Sequence, residues 1–231
     1  MHKDNMSSKT IEPIGVIKNG YNEKFGVPRQ SGLAPSVKSE IFFLPRYRDK
    51  NFVRGIEQYS HLWLVWGFNE NEEKEISPTV RPPKLGGNKR VGVFATRSPF
   101  RPNGLGLSCV KLEEVIEGAG GVSLVVSGAD LKNDTPIYDI KPYIPYADCI
   151  NDAKGGFAED YKDDRVEVIF QENVQADETL RMEIEEVLSL DPKPSYRDDD
   201  KVYGMSYKEF NVKFRYDDGK IIVINVVREE K

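Results

Sequence analysis

The chain has 231 residues, 39% hydrophobic and 31% charged, with a formal net charge of −5. That length admits one large domain, or a medium domain with a small appendage, and the apolar fraction is enough for a real core. No apolar run nears the length of a membrane span, and an acidic net charge argues, at first sight, against a nucleic-acid partner.

In chain order, MHKDNMSSKT has no apolar segment and reads as a disordered polar lead-in over 1–10 rather than a signal peptide. Strands are predicted at IGVIK (14–18), SEIFFL (39–44), HLWLVWGF (61–68), RVGVFAT (90–96), LSCVKLEEVIE (107–117), VSLVVSGA (122–129) and RVEVIF (165–170). Each is rich in β-branched or aromatic residues and bounded by turn formers. Strand following strand, with few helical patterns between, predicts an antiparallel sheet closed or nearly closed into a barrel over 11–172. HLWLVWGF, apolar on both faces, is predicted as a central strand.

After residue 172 the pattern changes. Leu180, Ile184, Val187 and Leu188 recur at helical spacing, with Asp177 as N-cap and Asp191-Pro192 as the stop. FNVKFRY and IIVINVV then flank Asp217-Asp218-Gly219, a hairpin signal. A small C-terminal α+β domain over 173–231 follows, so the fold class is mainly β with an α+β appendage.

Several chemistries drop out. Gly104 and Gly106 form G-x-G, but the dinucleotide fingerprint needs a small residue at Cys109 and a helix where a strand pattern runs, so the fold is non-Rossmann. Neither a phosphate loop nor a nucleophile elbow is present, and His2 and His61 alone build no metal site. Cys109 and Cys149 lie in no metal-ligand spacing and read as reduced thiols of a cytoplasmic protein.

Charge is segregated. From Ile76 to Leu112 there is no Asp or Glu, while Arg81, Lys84, Lys89, Arg90, Arg97, Arg101 and Lys111 all fall inside. A locally basic face of this kind is a footprint for a polyanion. Four stretches join stiff backbone to polar side chains at strand ends: KFGVPRQSG (24–32), Ser60-His61, RVGVFATRSPFRPNGLGLS (90–108) and ADLKNDTPIYDIKPYIPYAD (129–148).

These stretches, with TVRPPKLGGNK and DPKPSYR, resemble in order the motifs of the TrmO family (also called TsaA-like or YaeB-like), over residues 11 to 215. The resemblance implies an enzyme that moves a methyl group from S-adenosylmethionine to N6 of threonylcarbamoyladenosine at position 37 of tRNA. It also implies a homodimer and a β-barrel cofactor domain followed by a smaller domain. The family's cofactor contacts would fall on Pro28, Arg29 and Gln30, on His61 and Leu62, on Arg97 and Leu107, and on Asp130, Leu131, Lys132 and Asn133. The chain departs from the family pattern at Gly104, where proline is usual, and at Asn133-Asp134, where Asp-Gly is usual.

The residues suit those roles chemically. Arg97 and Arg29 offer paired donors to a carboxylate, and Asp130 suits an ammonium or a ribose hydroxyl. Asp139 is the candidate base for the acceptor nitrogen, with Lys141 and Tyr143 orienting it or the substrate; an equal alternative is a structural acceptor that caps the proline-rich turn or pairs with Lys141. Arg81, Lys84, Lys89, Arg90 and Arg101 would face the tRNA backbone, with Tyr143 and Tyr146 available to stack on bases. Tyr196 and Arg197 add either an RNA contact, within one chain or across a dimer, or packing of a domain linker. Two other functions remain open from sequence: a non-catalytic RNA-binding module and a sensor of S-adenosylmethionine without turnover.

Overall fold

The computed structural model describes residues 8–68, 76–192 and 201–229. Six antiparallel strands close into a barrel: β1 (Gly15–Lys18), β2 (Lys38–Phe43), β3 (His61–Gly67), β6 (Leu105–Gly118), β7 (Gly121–Ser127) and β8 (Pro136–Pro142). Their order around the wall is β1-β2-β7-β6-β3-β8, with β8 pairing back onto β1. Closure leaves no strand edge in the barrel to be protected. Alternate residues point inward, so Ile17, Ile41, Leu62, Leu64, Val110, Leu124, Val126 and Ile137 fill the interior.

β3 sits between β6 and β8, as its two-faced apolar pattern predicts. Leu62 and Leu64 face the core, and the second apolar face, Trp63 and Val65, is only half-buried on the outside. The register slips between Val65 and Trp66, a bulge of the sort that re-aims side chains at a barrel rim.

Three sequence expectations are corrected by the fold. RVGVFAT is not a barrel strand: only β5 (Val91–Gly92) is extended, paired with β4 (Thr79–Val80), and Val93–Ala95 turns into a 3-10 helix. Of these residues Val93 alone is buried while Phe94 is 78% exposed, so the segment lacks the side-chain contacts that would hold it in a sheet. PIYDIKP, which reads as a proline-stiffened connector, is the barrel strand β8. Its two prolines stand at the strand's ends, where a missing N–H is tolerated.

RVEVIF also lies elsewhere than expected. Its ordered part, β9 (Val168–Phe170), runs parallel to β12 (Lys220–Arg228) in a separate sheet of order β10-β11-β12-β9. β10 is Val202–Tyr207 and β11 is Phe210–Asp217. The β11–β12 turn has φ of 47° at Asp218 and 73° at Gly219, the two left-handed positions of a tight hairpin. α1 (Pro145–Asp148) is a single turn after β8, whereas α2 (Glu178–Ser189) is capped by Asp177, whose Oδ1 accepts from Leu180 N at 2.9 Å. Leu180, Ile184, Val187 and Leu188 are buried against the sheet.

The core of this second unit extends past its own strands. Tyr21, Ala34 and Val37, from the β1–β2 connection, are buried among its residues, and Phe25 stacks on Phe214 at 6.1 Å. Polar contacts fix the same connection. Lys208 N donates to Gly20 O at 2.8 Å, Ser206 N to Glu23 Oε1 at 2.8 Å, and Ser36 N to Glu186 Oε2 at 2.8 Å. Beneath it, the buried Glu183 carboxylate accepts from Tyr207 OH at 3.1 Å and pairs with Lys208.

Candidate active site

The β1–β2 connection, so anchored, carries Pro28-Arg29-Gln30 to the barrel rim. There it meets the segment 96–104 between β5 and β6, the start of β6, the C-terminal end of β3, and the turn after β7. Together they enclose a cavity of about 1040 Å³. Arg29, Gln30, Arg97, Asp130 and Lys132 supply its polar wall, and Trp63, Val65, Trp66, Phe68, Phe100 and Leu107 its apolar wall. Because Trp66 faces inward and Val65 and Leu107 outward, the cavity wraps over the rim from mouth to flank.

Asp130 is held by a relay. Trp66 Nε1 donates to Ser108 Oγ at 2.9 Å, and Ser108 donates onward to Asp130 Oδ1. Burial lifts the Asp130 carboxyl above its usual range; the Ser108 hydroxyl, backbone donors and the Arg97 charge oppose that rise without cancelling it. Gly106 makes room for the relay, since a Cβ there would lie 2.3 Å from the Trp66 ring. Gly106→Ala is therefore expected to push the indole off Ser108 and lower Tm by roughly 5 °C, read by thermal unfolding.

Arg29 presents the opposite charge. Its Nη1 is buried yet has no hydrogen-bond partner. A guanidinium nitrogen in that state costs free energy until an acceptor arrives. Arg97 donates to Gln30 Oε1, and its guanidinium lines the same cavity as that of Arg29. The cavity thus offers donors for a carboxylate and an acceptor for a cationic or hydroxyl group, with apolar surface between: a fit for a zwitterionic amino-acid end joined to a nucleoside.

Seven of the eleven residues assigned to the cofactor from the resemblance line this cavity: Pro28, Arg29, Gln30, Arg97, Leu107, Asp130 and Lys132. Four do not. Leu62 and Leu131 are fully buried, Leu62 pointing into the barrel and Leu131 packed in the same core. His61 opens β3 at the end away from the cavity, bonded to Ser60 Oγ at 2.9 Å. Asn133 Oδ1 accepts from Asn19 N at 3.0 Å, a structural bond at the β1 end.

Both departures from the family pattern fall on left-handed backbone. Gly104 has φ of 55°, which a proline ring forbids, and Asp134 takes φ of 66° where glycine would be unstrained. Asp134 pairs with Lys18 and accepts from Asn133 Nδ2 at 2.8 Å, so the turn is held by side chains.

Asp139 and Lys141 do not line the cavity. They stand on the outer face of β8, directly across from Val65 and Trp63, two residues that do line it. Asp139 Oδ2 lies 3.8 Å from Lys141 Nζ, both exposed, and Asp139 Oδ1 accepts from Ile140 N at 3.0 Å. Tyr143 packs on His61 at 6.2 Å and on Trp63 at 5.8 Å, while Trp63 Nε1 is tied to Asp148 at 3.1 Å.

A second cavity, about 1400 Å³, adjoins the first and shares Arg29, Gln30, Arg97 and Phe100 with it. Arg81, Lys84 and Arg90 line it as the basic window suggests, whereas Arg101 lines the first cavity. Lys84 is committed inside the fold, 3.1 Å from Asp164 and 3.9 Å from Asp191. That pairing corrects its expected role as a free phosphate contact. Lys89 and the 91% exposed Tyr146 line neither cavity, and Tyr196 and Arg197 lie outside the described residues.

Sequence reasoning missed three contributors: Ser108 and Trp66, whose polar atoms are hidden in strand patterns, and Lys154, which lies far along the chain from the basic window. Among the described residues no group of three His, Cys, Asp or Glu could hold a metal, and no helix is long and apolar enough to cross a membrane.

Comparison with known proteins gives a consistent picture. A model of the tRNA-methyltransferase O N-terminal domain matches residues 16–149, and one of the TrmO C-terminal domain matches 163–229. The chain is 42% identical over 224 residues to the tRNA (adenine(37)-N6)-methyltransferase of Escherichia coli, covering 92% of this chain and 95% of that protein. It is 40% identical over 218 residues to a Pseudomonas aeruginosa protein named as a putative S-adenosylmethionine-dependent methyltransferase, covering 90% and 92%. A crystal structure of TrmO from Pseudomonas aeruginosa superposes with a TM-score of 0.79 at 34% identity, covering 96% of this chain and 99% of that one.

Proposed function

The chain belongs to the TrmO family, and from that premise we propose that it is an S-adenosylmethionine-dependent tRNA (adenine-N6)-methyltransferase acting on threonylcarbamoyladenosine at position 37. One observation carries this reading most directly: a buried, unpartnered Arg29 nitrogen and a relay-held Asp130 share the wall of one cavity at the barrel rim.

When bound there, S-adenosylmethionine supplies an electrophilic methyl group on a sulfonium. Arg29 and Arg97 take its carboxylate, Asp130 its ammonium or a ribose hydroxyl, and Leu107, Val65 and Phe100 its apolar parts. Loops already fixed by Pro28, Pro99 and the contacts to the second unit keep the ordering cost of binding low. Asp139, one strand from the cavity, withdraws the proton of the acceptor nitrogen, whose lone pair is otherwise delocalised; Lys141 orients that carboxylate, and Tyr143, packed on His61 and Trp63, orients the substrate. Placing donor and acceptor in line supplies much of the rate.

We take the partner to be the anticodon arm of tRNA, the working form to be a homodimer, and the compartment to be the cytoplasm. The domain division we propose is a barrel unit and a C-terminal α+β unit, joined before β9. Tritiated-methyl transfer to tRNA from cells with and without the threonylcarbamoyl modification tests the function. Label should enter the modified tRNA alone; equal labelling of both, or of neither, would refute the substrate.

Donor affinity should depend on acid. Asp130 must be ionised to hold a cation, and its carboxyl is raised above the ordinary value by burial. Calorimetric affinity for S-adenosylmethionine should therefore fall on acidification, beginning above the pH range in which an ordinary carboxylate titrates. For folding the sign is opposite. A raised native pKa means Asp130's own contribution to stability is greatest at low pH and is lost as pH rises through that value. Asp130→Asn should bind weakly with a flat profile.

A further inference from the structure

The larger cavity is lined by seven basic side chains against one carboxylate, Asp191, among the described residues. Five of the seven are accounted for in other ways. Lys84 is paired with Asp164 and Asp191, Arg90 Nη1 donates to Thr79 Oγ1 at 2.7 Å, Arg97 binds Gln30, Arg29 faces the donor cavity as well, and Lys24 sits on the wall common to both. Arg81 and Lys154 make no hydrogen bond or ion pair with any described residue. They reach the cavity from separate segments, Arg81 just after β4 and Lys154 in the chain between α1 and β9.

The same wall holds exposed aromatic rings. Phe94 is 78% exposed and Phe100 40%, and Phe100 also lines the donor cavity. Phenylalanine left this open to water beside cations suits a flat, unsaturated ligand bearing negative charge. The proposed acceptor is such a ligand: an adenine whose N6 substituent ends in a carboxylate. Phosphates carry the same charge but run along the outside of a folded RNA, whereas a base substituent enters a cavity that opens onto the methyl donor.

We propose that this cavity is the acceptor pocket, and that Arg81 and Lys154 hold the carboxylate of the threonyl group on the target base. The proposal rests on the function given above and assigns substrate recognition to two residues. It makes the protein discriminate the modified adenosine from the plain one by charge at a point remote from the reacting nitrogen, with the ring seated against Phe94 or Phe100.

The experiment uses an anticodon stem-loop carrying threonylcarbamoyladenosine at position 37, either with its free carboxylate or as the methyl ester. Methyl transfer is followed with the full chain, with Lys154→Ala and with Arg81→Ala. Each substitution should raise KM for the free-acid RNA about tenfold and leave KM for the ester RNA unchanged. An equal loss on both RNAs would assign the two cations to backbone phosphate and overturn the proposal, as would no loss on either. Calorimetric affinity for S-adenosylmethionine should stay unchanged in both variants; a fall would move the residues to the donor site and also overturn it. Absence of transfer to either RNA by the unsubstituted chain is the distinct result that removes the underlying function, and this assignment with it.

Discussion

Arg97→Ala is expected to lower kcat/KM for methyl transfer by about a thousandfold, with most of the loss in donor affinity. Arg97 lines both cavities and its guanidinium is bonded to Gln30, so in the proposed site it would face the donor's carboxylate from the side shared with the acceptor. Arg97 is exposed in the unliganded chain, so the pair is shut off from water only by the bound donor; truncating one partner of a pair closed in this way typically costs several kcal/mol, about 4 of which correspond to a thousandfold. Arg29 cannot compensate, because its buried nitrogen then serves the carboxylate alone, at one point rather than as part of a doubled fork. Arg97→Lys keeps the charge and loses the planar fork, and should recover no more than a fraction of the activity. Calorimetry and steady-state kinetics on the two variants check this, and an Arg97→Ala protein within threefold of the original would refute the assignment.

Asp139→Asn and Asp130→Asn should fail in different ways. The first is expected to reduce kcat by about a hundredfold or more while donor affinity holds, as for loss of a general base. The second should weaken donor binding while kcat at saturation changes far less. The distinction follows from placement. Asp130 is inside the cavity, fixed by Ser108 and Trp66, whereas Asp139 is exposed on β8, across from Val65, with Lys141 3.8 Å away. A base exposed in this way would become effective only once RNA covers it, so its loss should appear in kcat and not in donor binding. Unchanged kcat in Asp139→Asn would mean that Asp139 merely caps its strand.

Much of the scaffold is legible in the residues because it is local. HLWLVWG is apolar on both faces because one side packs the barrel and the other walls the cavity. Asp177, the apolar residues at helical spacing after it, and Asp218-Gly219 announce α2 and the last hairpin by periodicity, capping and turn chemistry that act over a few residues. What is not legible depends on distant partners. RVEVIF has the pattern of any strand, and only its parallel pairing with β12 decides that it joins the second sheet. PIYDIKP hides a strand behind prolines that are harmless at strand ends.

The candidate site divides along the same line. Arg29, Gln30, Arg97 and Asp130 announce themselves because charged or hydrogen-bonding side chains stand near proline and glycine in turns, and all four line one cavity. Leu62 and Leu131 carry no such mark and prove to be core. Lys84 looks like its neighbours in the basic window, yet Asp164 and Asp191, far along the chain, claim it. Ser108 gives no sign in sequence that an indole and a carboxylate meet on its hydroxyl.

The segment bearing Arg29 and Gln30 leaves the barrel at β1 and returns at β2, but between those points it is nailed to another foundation. Tyr21, Phe25, Ala34 and Val37 are sunk among residues of α2 and the second sheet, and Asn22, Glu23 and Ser36 are tied to them. The appended unit is thus the keystone of the proposed methyl-donor grip. A chain cut off after β8 would retain all six barrel staves and still let slip the hand that holds the ligand.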